Sequence, residues 1–464
     1  MIFFHNGLFS IEEGKYVMNF LYDNGDSKDS KEVNSVDKTT NTIIIIKGFG
    51  DKIVGEQNID RSTQGASKLS VVIDDPFLYK GETTYYRYTY KVMENGTNVL
   101  FEGSFPIIKE SHLEKLRFGF VSCNDNVYGR NPEWNTYSQS NPSDLWASLK
   151  DKVPDIVVHM GDQIYADSVY TEYSNKRITL AEVYNYIQKL YRLTYSEPEQ
   201  GSVMRNCLNI TINDDHDFTD SAGSPGFGRE LSDETYSSYH EVAKKAMYDY
   251  QQQMYIESSV VRRSSLFNSY ALNLGKYLFI VLDTRGSLFK SGVSFSEELC
   301  GFAYSELIKT KSKDVLIVVP RPLINMSKFY AWALSKVVSE GFDDSLHPKS
   351  YDSTMKFRDM LFNFLVADRK LNIKMFSGDV HHTYLQTHSD TRDLNKKVSF
   401  DEMVTTGITR KSVSQTVWYQ RVIMWLAYNA NRLKSLGVVR RDHSYDSNYG
   451  VMLNDTLSNI TKKF

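Results

Sequence analysis

The sequence is poor in cysteine and in long apolar runs, and each shortage excludes a class of protein. Among 464 residues there are 3 cysteines. So few cysteines cannot form a disulfide framework, and they fit a reducing compartment. The longest apolar runs, such as 43–46 and 315–319, are too short to span a bilayer. The first residues lack the basic and apolar regions of a signal peptide. We therefore expect a cytoplasmic protein without a transmembrane segment.

The chain also lacks a large excess of either charge. Its 54 Lys and Arg residues nearly balance 57 Asp and Glu residues, which leaves a net charge of -3. A protein that mainly coats nucleic acid needs a basic excess, so we expect no dedicated nucleic-acid binding. A chain of this length can bury a large core without disulfides or structural metals. The composition predicts a globular protein of several domains, and it leaves the oligomeric state open.

Residues 1–112 are predicted to form a small β-sandwich-like N-terminal domain. Its strands are predicted from runs rich in β-branched and aromatic residues, at 42–47, 70–74 and 83–93. The turn sequence Glu94-Asn95-Gly96 predicts a hairpin that leads into a further strand at 98–101. The polar stretch 23–41 is poor in apolar residues and predicts a loop inside this domain.

The pattern changes after residue 112, and residues 113–464 are predicted to form an α/β domain. Short apolar runs alternate with helical patterns, which indicates buried strands separated by helices. The strands are predicted at 117–122, 156–160, 207–212, 277–282, 315–319 and 373–376. The helices are predicted at 180–193, 232–256, 328–340, 356–370 and 413–433.

The carboxyl ends of these apolar runs carry side chains that can bind metal. Ligands of open α/β sheets bind at this end of the strands. The motifs are Cys123-Asn124-Asp125-Asn126, Asp162-Gln163-Ile164-Tyr165-Ala166-Asp167, Asp214-Asp215-His216-Asp217, Asp283-Thr284-Arg285 and Gly378-Asp379-Val380-His381. Each motif taken singly also fits a structural role, such as a helix N-terminus. Converging carboxylates, however, need cations to neutralise them. The mixture of thiolate, phenolate and imidazole suits a transition metal, and the surplus carboxylates suit a hard cation.

With Ser122-Cys123 and Thr406-Gly407-Ile408-Thr409 added, this ordered series resembles the PhoD-like metallophosphatases of the calcineurin-like phosphoesterase superfamily. The order and approximate spacing of these motifs agree with those of the family over residues 117 to about 410. The resemblance implies a sandwich of mixed sheets flanked by helices, preceded by the small all-β domain. It also implies metal-dependent hydrolysis of phosphate monoesters, diesters or both by a metal-activated water, with Fe³⁺ and Ca²⁺ (or Mn²⁺) as cofactors.

The resemblance implies an iron(III)-type site. The residues that match its ligands are Cys123, Asp162, Tyr165 and His381. Asp162 would also bridge to a second metal position. Because no single motif of the series is specific, these roles depend on the whole series.

The second metal position implied by the resemblance is rich in carboxylates. Asp215 stands where the superfamily usually has the asparagine of Gly-Asn-His-Asp, and Asp379 stands where it usually has the first histidine of Gly-His-x-His. Asp214 and Asp215 could exchange roles. Oxygen ligands of this kind favour Ca²⁺ or Mn²⁺. No histidine follows the strand at 315–319, where the superfamily commonly supplies another ligand. Candidates to complete the set are Asn124, Asn126 and Asp167.

Three further residues are expected to act on the substrate. His216 matches the histidine that faces the leaving group, and we predict that His216 and Arg285 are catalytic. Arg285 and Arg321 are predicted to bind non-bridging phosphate oxygens through bidentate contacts. For Arg285 a salt bridge to Asp283 or to another local acid fits equally well.

The main alternative function is a binding or interaction protein that has kept the metallophosphatase fold without turnover. The competent side chains at every matched ligand position favour the enzyme over this alternative. A carbohydrate-binding or protein-binding role for residues 1–112 finds no support, because no aromatic platform or charge cluster stands out there. The natural substrate and the preference between monoester and diester are left open.

Overall fold

The structure is a computed structural model. It describes residues 3–12, 15–25, 41–63, 65–75, 87–108, 116–125, 143–224, 231–256, 260–265, 268–323, 348–367, 371–380, 383–390, 398–405, 407–409, 438–444, 448–453 and 456–461. The predicted helices at 328–340 and 413–433 lie outside the described residues, as does most of the predicted loop at 23–41.

The N-terminal region forms two antiparallel sheets, which confirms the predicted all-β start of the chain. Its strands are β1 (Phe3–Glu12), β2 (Lys15–Asp23), β3 (Thr42–Lys47), β4 (Ile53–Ile59), β5 (Ala66–Ile73), β6 (Arg87–Glu94) and β7 (Asn98–Pro106). One sheet has the order β1-β2-β5 and the other β4-β3-β6-β7. The predicted hairpin joins β6 to β7, with Asn95 at φ 52° and Gly96 at φ 71°. Positive φ at both positions is what a tight hairpin turn requires.

The strands described after residue 112 form two mixed sheets. Their strands are β8 (Arg117–Val121), β9 (Ile156–Met160), β10 (Leu208–Ile212), β11 (Val261–Arg263), β12 (Tyr270–Leu274), β13 (Tyr277–Val281), β14 (Asp314–Val318), β15 (Asn372–Ser377), β16 (Thr383–Ser389), β17 (Ser399–Val404), β18 (Val438–Ser444), β19 (Asn448–Leu453) and β20 (Thr456–Thr461). The five-stranded sheet has the order β10-β9-β8-β19-β20, and the eight-stranded sheet has the order β11-β12-β13-β14-β15-β17-β16-β18. Strands β8, β9 and β10 are parallel to one another, and so are β13, β14, β15 and β17.

Helices connect these strands. The described helices are α1 (Ser143–Asp151), α2 (Asp167–Ser174), α3 (Leu180–Tyr195), α4 (Pro198–Asn206), α5 (Glu234–Met247), α6 (Gln253–Ile256), α7 (Thr284–Ser291), α8 (Glu297–Lys309) and α9 (Pro348–Ala367). A π-helical turn at Tyr248–Gln252 joins α5 to α6, so the predicted helix at 232–256 is interrupted. None of the described helices is long and apolar enough to cross a bilayer.

The two mixed sheets pack face to face, and helices cover their outer faces. Side chains alternate along each strand, so each sheet presents one face inward and one outward. Phe118 of β8 and Phe279 of β13 meet in the inner layer, with ring centroids 5.7 Å apart. The outer face of the eight-stranded sheet packs on α8 and α9 through Leu278, Ile280, Leu299, Ala303 and Phe357. The outer face of the five-stranded sheet packs on α1 and α4 through Leu145, Trp146, Leu149, Val157 and Val203. This layered α/β sandwich confirms the predicted fold class.

Polar contacts join the N-terminal sheets to the α/β region. Arg192 Nε on α3 donates to the buried Asp23 carboxylate at 2.9 Å. Arg87 forms an ion pair of 2.7 Å with Asp155, which is also buried. The predicted boundary between residues 112 and 113 lies outside the described residues, so the division into two domains stays a prediction.

Candidate active site

Four aspartates converge at the edge where the two mixed sheets approach each other. Asp162 follows β9, Asp214 and Asp215 follow β10, and Asp379 follows β15. Each of the four offers a carboxylate oxygen, and these oxygens all lie within 4.8 Å of one another. We call this group the carboxylate cluster. Parallel neighbouring strands bring their carboxyl ends to one edge, which explains why residues distant in the sequence meet there.

The approach of the two sheets leaves little space around the cluster. Ser122 after β8 forms a β-bridge with Gly407 after β17. A Cβ atom on Gly378 would lie only 2.4 Å from the Ser122 Cβ atom. The Gly-Asp sequence that ends in Asp379 therefore needs its glycine because another chain segment comes so close.

A second overlapping group contains Asp162, Asp215 and His216, whose ligand atoms also lie within 4.8 Å of one another. Asp162 and Asp215 belong to both groups, and Asp162 is 1 % exposed. A carboxylate at this junction can contact two cations at once. The geometry therefore suits the bridging role predicted for Asp162.

Three of the predicted ligands have a left-handed backbone. The φ angles are 50° at Cys123, 53° at Asp162 and 70° at Asp379. Residues other than glycine rarely adopt this region, and each such residue costs about 1–3 kcal/mol of free energy. Strain of this kind persists only where surrounding contacts impose it, and it is concentrated at functional sites.

Asp217 supplies such contacts to the turns after β9 and β10. Its Oδ2 atom accepts hydrogen bonds from the backbone N–H groups of Asp162, at 3.1 Å, and Asp214, at 2.9 Å. Its Oδ1 atom accepts from the Gln163 N–H at 3.1 Å and from Gln251 Nε2 at 2.9 Å. The sequence analysis assigned this residue no role, because nothing local distinguishes it from the neighbouring aspartates. It holds both ligand-bearing turns in place.

Asp217→Asn is expected to lower the free energy of unfolding by about 1–3 kcal/mol. Both carboxylate oxygens accept hydrogen bonds, so an amide group must turn an NH₂ towards existing donors. Urea denaturation of metal-free protein measures the change. Asp233→Asn is the matched control, because exposed Asp233 caps α5 and asparagine caps a helix as well as aspartate does. Equal stability of the two variants would contradict the role assigned to Asp217.

Arg285 is buried against the carboxylate cluster. Its Nε and Nη2 atoms donate to Asp214 Oδ1 at 3.1 Å and 2.8 Å, and Nη1 donates to the Ala222 carbonyl at 2.6 Å. Arg285 therefore forms a salt bridge with a local acid, which is the alternative that the sequence left open. That acid is Asp214 and not Asp283. Asp283 instead accepts a hydrogen bond from the N–H of Gly286 at 2.7 Å and caps α7.

Arg321 contacts three members of the carboxylate cluster. Its Nε atom lies 3.3 Å from both oxygens of Asp214 and 3.6 Å from Asp379 Oδ2. Its Nη2 atom lies 3.1 Å from Asp215 Oδ1. Arg285 and Arg321 each contact both neighbouring aspartates, Asp214 and Asp215. The predicted contacts of these arginines with phosphate oxygens stay a prediction.

The carboxylate cluster holds more negative charge than the two arginines neutralise. Burial and the neighbouring aspartates raise the pKa of Asp162 well above its usual range, although His216 acts in the opposite direction. Burial raises the pKa of Asp379 to about 7, despite the opposing charge of Arg321. Burial also opposes ionisation of Asp215, but Arg285 and Arg321 hold its pKa well below its usual range. Full ionisation of all four aspartates in the carboxylate cluster therefore requires a further cation.

His216 lies between Tyr165 and Asp167. Its ring stacks on that of Tyr165, with centroids 4.1 Å apart, and its Nδ1 atom lies 2.9 Å from both oxygens of Asp167. Burial lowers the pKa of His216, but Asp167, Asp215 and Asp162 together raise it well above its usual range. Asp167, predicted as a possible metal ligand, is thus bonded to the histidine. This contact orients the ring and favours its protonated form.

Cys123 and Tyr165 border Asp162 on another side. The Tyr165 hydroxyl donates to Asp162 Oδ2 at 3.4 Å. Cys123 is fully buried, and burial followed by the charges of Asp162 and Asp379 raises the pKa of its thiol well above the usual value. His381, the remaining predicted ligand of this position, lies outside the described residues.

Asn124 supports the site through hydrogen bonds. Its Oδ1 atom accepts from Trp146 Nε1 at 3.2 Å and from Thr409 Oγ1 at 3.3 Å, and its Nδ2 atom donates to Gln200 Oε1 at 3.0 Å. These bonds occupy the amide that was predicted as a possible ligand. Asn126, the other amide candidate, lies outside the described residues.

Glu402 is a second supporting residue that the sequence analysis missed. It is fully buried in β17. Its Oε1 atom accepts from Ser377 Oγ at 2.8 Å and from the Leu323 N–H at 3.0 Å. These bonds hold the two segments that carry Asp379 and Arg321. An acid in the middle of a predicted strand gives no local signal of this role.

Two face-to-face mixed sheets with an acidic site at their shared edge define the calcineurin-like phosphoesterase class of fold. A solved structure of PhoD matches with a TM-score of 0.65 and 14% sequence identity, over 99% of this chain and 88% of that chain. The purple acid phosphatase PPD1 from yellow lupin (Lupinus luteus) seeds matches with a TM-score of 0.55 and 14% identity, over 99% of this chain and 71% of that chain. At this level of identity, these likenesses show the fold.

Part of the α/β region is similar to a known protein family. Residues 118–294 match the family described as PhoD-like phosphatase. This match confirms the resemblance predicted from the ordered motifs, and it supports hydrolysis of phosphate esters as the general activity. The matched segment contains Asp162, Asp215 and His216, whereas Arg321 and Asp379 lie beyond it. No curated protein sequence matches the chain.

Proposed function

We propose that this protein hydrolyses phosphate esters with the help of metal ions bound at the carboxylate cluster. The observation that carries the proposal is the convergence of four aspartate carboxylates within 4.8 Å, with two arginines as their described cationic partners. Carboxylates that crowd together in a buried place repel one another unless cations neutralise them. The match to the phosphatase family supplies the reaction class.

The available side chains fit two metals of different kinds. Asp215 Oδ1 is buried and accepts no well-aligned hydrogen bond, and the neighbouring oxygens of Asp162 and Asp379 are hard ligands. This position suits Ca²⁺ or Mn²⁺. The thiol of Cys123 and the phenol of Tyr165 beside Asp162 suit Fe³⁺, with His381 as the proposed fourth ligand.

The chain's own residues would complete the chemistry. Bound metal ions would supply charge for the phosphoryl oxygens and a nucleophile derived from water. His216 is proposed to protonate the leaving oxygen, a role that typically accelerates a reaction by about 10²- to 10⁴-fold. Asp167, at 2.9 Å from the ring, would hold the histidine with Nδ1 turned away from the substrate.

The two arginines would act differently from each other. Arg285 is 1 % exposed and already donates to Asp214 and Ala222, so we assign it to holding Asp214. Arg321 is 7 % exposed and borders three of the carboxylates, which keeps it a candidate for contact with a phosphate oxygen.

Removal of metal is expected to abolish hydrolysis. Protein stripped with a chelator should lose turnover of chromogenic phosphate monoesters and diesters, and iron with Ca²⁺ or Mn²⁺ should restore it. Protein passed through the same steps without chelator is the control, and elemental analysis confirms the stripping. Full turnover in protein shown to hold no metal would contradict the proposed metal dependence.

The same assay separates the remaining alternatives. The preferred ester would assign the protein as a phosphomonoesterase or a phosphodiesterase. An absence of turnover with every metal tested would favour the catalytically inactive binding protein.

A further inference from the structure

Arg321 occupies an unusual place among the groups that would bind a divalent cation. Of the two arginines described at the carboxylate cluster, Arg285 contacts Asp214 and Asp215. Arg321 contacts these two and also Asp379, so it shares oxygens with both proposed ligands of the second metal position. The positive charge of its guanidinium group therefore lies next to the carboxylate oxygens that would bind a metal cation.

The chain holds this guanidinium close to one position. Arg321 follows β14 and lies between Pro320 and Pro322, whose rings restrict the backbone on both sides. The Pro320 carbonyl accepts a hydrogen bond from the N–H of Gly378 at 3.0 Å, which ties this segment to the turn that carries Asp379. On the other side, the Leu323 N–H donates to buried Glu402 at 3.0 Å.

A cation bound by Asp215 and Asp379 must share their oxygens with this fixed positive charge. Four carboxylates and two guanidiniums would sum to a formal charge of −2 if all were ionised, so the two arginines already balance half of the carboxylate charge. Two cations a few ångströms apart repel each other even where water screens part of the interaction. At separations near 5 Å, this repulsion would weaken metal binding by about 10- to 100-fold.

We propose that Arg321 is a resident cation of the second metal position, which stabilises the carboxylate cluster without metal and weakens the binding of a divalent cation. The inference rests on the proposed metal dependence. It predicts that the position at Asp215 and Asp379 exchanges its metal readily. The contacts of Arg321 with Asp214, Asp215 and Asp379 place this effect at the second metal position.

The test is a calorimetric titration of metal-stripped protein with Mn²⁺. Arg321→Met is expected to bind Mn²⁺ about 10- to 100-fold more tightly than the unchanged protein, because the competing charge is gone. Arg321→Lys keeps the charge and should stay within about threefold of the unchanged protein. Arg262→Met is the matched control, because Arg262 pairs with the buried Glu306 at 2.6 Å on other elements. It should leave Mn²⁺ affinity unchanged.

Arg321→Gln covers the case in which the methionine variant does not fold, since an amide can still donate to Asp214. It too should tighten Mn²⁺ binding. Unchanged or weaker binding in a folded neutral variant, checked by circular dichroism, would overturn the role given to Arg321. If the unchanged protein and all variants fail to bind a divalent cation, the proposed metal dependence fails together with this inference. Binding by the unchanged protein without tightening in either neutral variant makes only the inference wrong.

Discussion

Asp162→Asn is expected to reduce hydrolysis of phosphate esters by more than the roughly 10²- to 10⁴-fold typical of losing a general acid. Asp162 and Asp215 belong to both groups of potential metal ligands, and Asp162 also borders Tyr165 and Cys123 at the proposed iron position. Replacing Asp162 would weaken both metal positions at once, since an amide oxygen carries no net charge. Asparagine tolerates the left-handed backbone observed at this position, so the fold should survive.

The loss is measured as kcat/KM with the preferred ester, together with the metal content of the purified variant. Asp51→Asn is the matched control, because Asp51 is exposed and also has a left-handed backbone, with φ 60°. It should retain full turnover and metal content. Turnover by Asp162→Asn within about tenfold of the unchanged protein would be too small a loss for a bridging ligand.

Arg285→Met is expected to lower the free energy of unfolding of the metal-free protein by about 3–5 kcal/mol. The side chains of Arg285 and Asp214 are each 1 % exposed, and their closest contact is 2.8 Å. Removing one partner of a buried ion pair leaves the other charge poorly compensated in a medium that solvates it poorly. Arg321 Nε, 3.3 Å from Asp214, keeps part of this compensation, so a loss near the lower end of the range is expected.

Urea denaturation in the presence of a chelator measures this loss. Lys150→Met is the control, because Lys150 and Glu199 form a pair of 3.0 Å that is largely open to solvent and contributes about 0–1 kcal/mol. Combining Arg285→Met with Asp214→Asn should restore part of the stability, because the uncompensated charge is removed as well. A loss no greater than that of the lysine variant would show that the buried pair does not stabilise the cluster.

The sequence predicts the strands that position the site rather well. The apolar runs that became β9, β10 and β15 were placed to within one or two residues, because buried strands need consecutive apolar residues. The first two strands of the chain were missed. In β2 seven consecutive residues are buried, polar Asn19 and Asp23 among them, so the run shows no alternation.

The ligand-bearing turns were found because each one directly follows such a strand. Asp162 and Asp379 are therefore close in the structure although 217 positions separate them in the chain. The supporting residues could not be found in the same way. Asp217 and Glu402 resemble any other acid in the sequence, and only their buried hydrogen bonds show what they do.

The sequence alone predicts the class of fold, phosphate-ester hydrolysis as the general activity and the kinds of side chain available at the site. These depend on local patterns: the length of apolar runs, and the polar residues that follow them. Tertiary structure decided the pairings. Asp214 rather than Asp283 receives Arg285, Asp167 turns to His216, and Arg321 joins the carboxylate cluster. Each of these contacts spans at least 49 positions of the chain, so it forms only when the strands and sheets that carry its partners have packed together.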